Sequence, residues 1–213
     1  MNNRILIFGD SITWGACDIE GGWATRLKKY TDNQLINGKT GYDEMYVLGV
    51  SGDNSDDLVK RFNLELISRI DDEMELVVLI AIGTNDSKYS IITKENRVSI
   101  SKYKANLTEL ITTSKKYTNK IVFIGLTPVD DKALSPDYLG EEDTYDNENV
   151  QKFNNALIEV AKENTIPMVE LFDDLINKSS SKLLSDGLHP NSDGHELIYE
   201  KVLAELKDLK LIE

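Results

Sequence analysis

The chain has one cysteine, two histidines and a shortage of positive charge: among 213 residues, 24 lysines and arginines stand against 37 aspartates and glutamates, a formal net charge of -13. Each scarcity excludes something. A lone cysteine, Cys17, closes no internal disulfide, and a reducing compartment suits the chain. An acidic surface repels phosphate backbones and anionic headgroups, so neither nucleic acid nor a membrane surface is an expected partner. No run approaches the roughly 20 apolar residues that span a bilayer. The first residues, Met1-Asn2-Asn3-Arg4, enter a short apolar stretch and lack the charged segment, longer apolar stretch and small-residue cleavage site of a secretory leader. The expectation is a cytoplasmic protein. Any imidazole chemistry is confined to His189 or His195.

What is there is an alternation. Five apolar, β-rich runs recur at Ile5 to Phe8, Met45 to Leu48, Leu76 to Ile82, Ile121 to Leu126 and Met168 to Phe172. Between them the apolar residues follow helical spacing: Ile100, Tyr103, Leu107, Leu110 and Ser114 with Ile111 beside them, then Val150, Phe153, Leu157 and Val160. A last helix is expected from about Ser192 to Lys210, with Ile198, Val202, Leu206 and Leu209 on one side. The run from Leu76 to Ile82 is apolar without alternation, as in a central strand covered on both faces. Strand alternating with helix predicts a three-layer α/β domain with a five-stranded, mainly parallel sheet. The length suffices for one core, and no repeat, linker or composition break divides it, so residues 1–213 are expected to form a single domain.

In such a sheet the loops after the strands converge on one edge. The first run is followed by Gly9-Asp10-Ser11, the second by Gly49-Val50-Ser51-Gly52-Asp53-Asn54, the third by Gly83-Thr84-Asn85-Asp86, and the fifth, through a longer loop, by Asp186-Gly187-Leu188-His189-Pro190. Serine is a poor nucleophile until an imidazole takes its proton, and a carboxylate fixes the imidazole's tautomer. Acyl transfer also needs donors aimed at the oxyanion formed when a carbonyl is attacked; glycine N–H groups and asparagine amides suit that role.

Gly9-Asp10-Ser11-Ile12, Gly52, Gly83-Thr84-Asn85-Asp86 and Asp186-Gly187-Leu188-His189-Pro190 together resemble the four blocks of the GDSL, or SGNH, hydrolase family from one end of the chain to the other. The resemblance implies a flavodoxin-like αβα sandwich and a serine hydrolase that cleaves carboxylic ester or thioester bonds of small substrates through an acyl-enzyme. It implies Ser11 as nucleophile, His189 as base and then acid, and Asp186 as orienter of the ring. The Ser11 and Gly52 N–H groups and the Asn85 amide would form the oxyanion hole, with no cofactor or metal. Ile12 stands where the name-giving pattern has leucine. The Gly-x-Ser-x-Gly elbow of α/β-hydrolases is absent around Ser11. An acyltransferase or a carbohydrate or metabolite deacetylase would use the same residues, and a flavodoxin-like binding module would keep them only as architecture.

Plainer roles stand beside these. Ser11 alone reads as a helix cap. Asp10 is expected to stabilise its turn by side-chain to backbone hydrogen bonds, and Asp86 to be structural. His195 reads as a surface or packing residue. His189 and His195, with Asp186 and Asp193 nearby, fit no recognised zinc spacing. Cys17 is expected to pack as a small apolar residue and not to act as a nucleophile. Trp23 is expected in the core, whereas Trp14 either lines an acyl pocket or closes the core. The long stretch from Thr127 to Asn147, with Pro128, Pro136, Gly140 and Glu141-Glu142-Asp143, is either a lid or substrate wall, or a solvated loop. The loops show no long apolar groove, which favours short acyl groups.

Overall fold

Ile5, Leu6, Ile7 and Phe8 are all fully buried, so neither face of the first strand meets water. The computed structural model describes residues 2–39, 41–136, 142–178 and 182–213. It places these side chains in β1 (Asn3–Gly9), flanked in parallel by β2 (Glu44–Gly49) and β3 (Glu75–Ala81). Two shorter strands, β6 (Ile121–Ile124) and β8 (Met168–Val169), complete an all-parallel sheet of order β2-β1-β3-β6-β8. Side chains alternate across a strand, and the core divides accordingly. Leu6, Phe8, Val78 and Ile80 face one way, onto Leu58 and Phe62 of α3 (Ser55–Ile67), Leu107 and Leu110 of α4 (Ile100–Ser114), and Phe153 and Leu157 of α5 (Asn147–Asn164). Ile5, Ile7, Val77 and Leu79 face the other way, onto Trp23 and Leu27 of α2 (Gly22–Ile36) and Ile198, Val202 and Leu206 of α7 (Ser192–Asp208). Four of the longer helices start where the sequence offers a side-chain acceptor. Asn54, Ser99, Asp146 and Asn191 each take a backbone N–H of the first turn of α3, α4, α5 and α7.

The chain leaves β1 for β2 on one side and then returns for β3 on the other, so the order reverses at β1. In open parallel sheets such a reversal opens a crevice at the carboxyl ends of the strands. The short helix α1 (Ser11–Trp14) begins in that crevice.

The sequence differs from the structure at two strand ends. The expected strands to Leu126 and Phe172 stop at Ile124 and Val169. Leu126 leaves the ladder because its N–H donates to the Asn154 side chain at 3.0 Å, and Phe172 begins α6 (Phe172–Ile176). Leu126, Leu171 and Phe172 stay buried, and periodicity alone does not separate a short buried strand from a buried turn of helix. A second, antiparallel sheet of order β5-β4-β7 joins β4 (Tyr89–Ser90), β5 (Glu95–Asn96) and β7 (Asp143–Thr144). Its strands are too short to leave a period in the sequence. Among the described residues, no helix is long and apolar enough to cross a membrane.

Candidate active site

β1 ends at Gly9, and the Asp10 carboxylate accepts the Ile12 N–H at 2.9 Å, which starts α1 and sets Ser11 as its first residue. This is the turn-stabilising contact expected of Asp10. The room is tight: a Cβ on Gly49 would fall on the Trp14 amide nitrogen and the Asp10 carbonyl, so α1 and the end of β2 approach backbone to backbone. From the other end of the chain comes the loop before α7. The Ser11 hydroxyl lies 2.9 Å from His189 Nε2, and His189 Nδ1 lies 2.7 Å from Asp186 Oδ2. The other Asp186 oxygen accepts the backbone N–H groups of Leu188 and His189 at 2.9 and 2.8 Å. Burial pushes the Asp186 carboxyl up, but the His189 backbone and ring and the Leu188 N–H outweigh it and hold the group below the usual carboxylate range. An ionised Asp186 therefore receives the Nδ1–H of His189, which leaves Nε2 as an acceptor for the Ser11 O–H.

The remaining strand ends assemble beside this line. Gly52 follows β2 with a φ of +83°, the left-handed region that glycine enters without strain. Asn85, after β3, donates through Nδ2 to the Asp53 carbonyl at 2.9 Å and accepts the Tyr145 hydroxyl at 2.9 Å, so its amide abuts the Gly52-Asp53 turn. Asp53 is tied in turn by Arg61, whose Nε donates to its carboxylate at 2.7 Å and whose Nη2 donates to the Gly9 carbonyl at 3.0 Å. Ser11, His189 and Asp186 are thus brought into one hydrogen-bonded line, and Gly52 and Asn85 into a neighbouring turn at the same sheet edge.

The carboxylates behind the site are structural. Asp86 accepts the Ser55 backbone N–H at 2.9 Å and the Ser55 hydroxyl, tying the start of α3 to the end of β3. Burial pushes its carboxyl up to about 6 despite these donors. Burial also pushes Asp10 up to about 7, against the Ile12 N–H and the His189 charge, which favour its ionised form.

Several expected residues take other places. Cys17 is not packed as an apolar residue. It is exposed, in the left-handed region at φ +64°, with Sγ 4.0 Å from Asp186 Oδ2. Its neighbours fix it there: the Asp18 side chain is held by Arg26, by Ser192 and by the Gly22 N–H, so the loop is shaped by polar contacts and not by burial of Cys17. Trp14 is 61% exposed and does not close the core, whereas Trp23 is 1% exposed and does. His195 is a buried packing residue. Its Nδ1 accepts the Trp23 N–H at 3.3 Å and its Nε2–H donates to the Ala16 carbonyl at 3.1 Å, while burial lowers its pKa. The 127 to 147 stretch is not a free loop. Val129 and Leu134 are buried, the Asp130 N–H donates to the Gly187 carbonyl at 2.8 Å, and a Cβ on Gly187 would meet Ala133 at 2.8 Å. One part of the stretch thus supports the Asp186 to His189 loop, and Tyr145 at its far end supports Asn85. Gly140 and Glu141 lie outside the described residues.

Tyr145 and Arg61 make positioning contacts that sequence reasoning missed. The Tyr145 to Asn85 contact joins residues 60 apart after an irregular stretch. Arg61 had a faint signal, as a cation on the otherwise polar face of α3 about two turns beyond Asp53.

The three-layer sandwich with its switch-point crevice is that of the GDSL hydrolases, and membership of their family makes the chain an ester-hydrolysing enzyme. Residues 7–197 match the model of the GDSL-like lipase/acylhydrolase family, and the chain belongs to that family. A GDSL esterase/lipase of Arabidopsis thaliana is 27% identical over 226 residues, covering 98% of this chain and 87% of the relative. Among solved structures, a lipase/acylhydrolase from Enterococcus faecalis superposes with a TM-score of 0.74 at 23% identity, over 97% of this chain and 96% of that one. An acetylxylan esterase from Geobacillus stearothermophilus superposes with a TM-score of 0.73 at 19% identity, over 96% and 94% of the two chains. At these identities the two structures speak to the fold.

Proposed function

We propose that the chain is a serine esterase that cleaves short-chain esters of small molecules through an acyl-enzyme. The observation that carries this reading is the continuous line from Ser11 Oγ to His189 Nε2 at 2.9 Å and from His189 Nδ1 to Asp186 Oδ2 at 2.7 Å. As the Ser11 oxygen attacks the substrate carbonyl, its proton passes to His189 Nε2, and the imidazolium that forms is stabilised by the Asp186 carboxylate. The negative charge moves to the carbonyl oxygen, where the Ser11 and Gly52 N–H groups and the second Asn85 amide proton receive it. His189 returns the proton to the departing alcohol. In the second half His189 takes a proton from water, which attacks the acyl carbon, and Ser11 regains its proton as the acid leaves. No step needs a cofactor.

The preference for short acyl groups rests on tight surroundings. Ser11 and Asn85 are 8% and 6% exposed, Thr84 beside them is buried, and Tyr145 stands against Asn85. The likeness to an acetylxylan esterase is in keeping with an acetyl group but concerns the fold alone. We place the enzyme in the cytoplasm, where an exposed unpaired thiol such as Cys17 stays reduced. The test is hydrolysis of p-nitrophenyl esters from acetyl to decanoyl, with fluorophosphonate labelling. Wild type is expected to favour the short end and to be labelled at Ser11, and Ser11→Ala to lose both activity and label with its melting temperature intact. Wild-type activity in Ser11→Ala would overturn the mechanism, and a decanoyl optimum would overturn the substrate class.

A further inference from the structure

Behind the imidazole, on the side away from Ser11, three different metal-binding side chains converge. One donor atom each from Cys17, Asp186 and His189 lies within 4.8 Å of the others. Asp186 Oδ2 is the shared corner, 2.7 Å from His189 Nδ1 and 4.0 Å from Cys17 Sγ. A tetrahedral ion with M–S of about 2.3 Å and M–N or M–O of about 2.0–2.2 Å spans ligand pairs of intermediate separation. Closing the sulfur on the oxygen by about 0.4 Å and parting the nitrogen and oxygen by about 0.7 Å would seat it. A mixed sulfur, nitrogen and oxygen set selects a borderline-soft divalent ion over magnesium or calcium.

The frame that holds the three is already stiff. Cys17 sits between two tied residues: the Ala16 N–H donates to the Ser11 carbonyl at 3.0 Å and the Ala16 carbonyl accepts from His195, while Asp18 is locked by Arg26 and Ser192. On the other loop, the Ser185 N–H donates to the His189 carbonyl at 2.8 Å, and the Asp130 N–H holds Gly187. The cluster also opens to solvent, with Cys17 exposed and the Asp186 side chain 49% accessible, so an ion can reach it without unfolding the site.

We propose that Cys17, Asp186 and His189 form an inhibitory site for a thiophilic divalent cation, with Zn2+ as the probe ion. The inhibitory half rests on the reading of His189 as the base. When the ion binds, Cys17 gives up its thiol proton to solvent and coordinates as thiolate. His189 Nδ1 exchanges its proton for the metal, and the neutral ring carries its one proton at Nε2. Asp186 Oδ2 changes from hydrogen-bond acceptor to ligand, and water fills the fourth position. An Nε2 that carries a proton and a ring that is metal-bound cannot accept the proton of Ser11, so the nucleophile stays an alcohol. Burial and the neighbouring Asp186 raise the free Cys17 thiol, so in the absence of the ion it is a poor nucleophile and does not compete with Ser11.

Calorimetric titration of the intact protein with Zn2+ is expected to give one site, weakened at least about tenfold in Cys17→Ala and Cys17→Ser, since loss even of an outer-shell partner costs that much. Co2+ in place of Zn2+ should give a thiolate-to-metal absorption band in wild type that both variants lack. Ester hydrolysis by wild type should be inhibited by Zn2+ and restored by EDTA, with both Cys17 variants keeping basal activity while their half-inhibitory concentration rises by the same factor as the affinity falls. Ser11→Ala should bind as wild type does, which separates the site from the catalytic reading. Equal Zn2+ affinity in wild type and both Cys17 variants overturns the site. Binding through Cys17 with unimpaired hydrolysis overturns His189 as a ligand and the inhibition with it, whereas loss of the Ser11 role in catalysis is read from Ser11→Ala alone.

Discussion

The Tyr145 hydroxyl donates to the Asn85 side-chain oxygen at 2.9 Å, and this contact decides which way the Asn85 amide faces. With its oxygen taken, Asn85 must turn its nitrogen toward the Gly52-Asp53 turn, where one proton goes to the Asp53 carbonyl at 2.9 Å and the other is the one the proposed mechanism assigns to the oxyanion. Removing an oxyanion donor typically costs about 100- to 1,000-fold in kcat, which is the loss expected of Asn85→Ala. Tyr145→Phe removes the guide and leaves the donor, so its kcat should fall about tenfold, with KM nearly unchanged. Steady-state kinetics on p-nitrophenyl acetate checks both. A Tyr145→Phe variant with wild-type kcat would mean that the Asp53 carbonyl alone orients the amide.

The two residue pairs that matter most here differ in how legible they were. Asp186 and His189 are three residues apart in one loop, and together with Gly9-Asp10-Ser11 they were legible in the sequence through their resemblance to the blocks of the family, since both short motifs are contiguous in the chain. Tyr145 and Asn85 could not be paired, because their meeting depends on how an irregular stretch folds back, which local propensity does not encode. Cys17 was misjudged for a related reason: cysteine is usually buried, but here the loop around it is set by Asp18, Arg26 and Ser192, whose contacts reach from α2 to the start of α7. The strand ends at Ile124 and Val169 were overrun because apolar residues continue into buried turns.

Arg61 binds the Asp53 carboxylate and the Gly9 carbonyl at once, so it couples the turn that carries Gly52 to the strand that delivers Ser11. Lysine cannot reproduce a fork with two directions. Arg61→Lys should therefore lower kcat about tenfold and Arg61→Ala somewhat more, both with a smaller effect on KM, since the change acts on positioning. Truncation also leaves the mostly buried Asp53 carboxylate unpaired, at about 1–3 kcal/mol of stability. Urea unfolding and kinetics on the same preparations separate the two effects. Equal kcat in wild type and Arg61→Lys would sink the positioning role.

The buried carboxyl of Asp10, pushed up to about 7 from 3.8, makes stability depend on pH. Between those values the folded chain holds a proton that the unfolded chain has released, so stability falls as pH rises through that window. Asp86, pushed up to about 6, adds the same sign over a narrower range. His195, lowered by burial, acts oppositely, because the unfolded chain takes up its proton first as the pH falls below 6.5. Asp10→Asn keeps an oxygen for the Ile12 N–H and removes the titration. It should gain stability over wild type between pH 5 and pH 8, by up to a few kcal/mol. An identical stability difference between the two proteins at both pH values would refute this.

Gly52 and Gly49 lie three residues apart, and alanine should separate their roles. At Gly49 a Cβ falls on the backbone of α1, so Gly49→Ala cannot be accommodated without moving Trp14 and Asp10 and should unfold the switch-point crevice. At Gly52 a Cβ meets nothing within 4 Å, and the only obstacle is the φ of +83°. Holding alanine there costs about 1–2 kcal/mol, which the chain can meet by rotating the peptide toward an ordinary φ. That rotation swings the Gly52 N–H away from the position it takes in the proposed oxyanion hole. Gly52→Ala should therefore stay folded, with a melting temperature a few degrees lower, while kcat falls about 100-fold and KM holds. Thermal unfolding and kinetics on both variants decide it: a folded Gly49→Ala would contradict the close approach of β2 and α1, and a fully active Gly52→Ala would remove that N–H from the site.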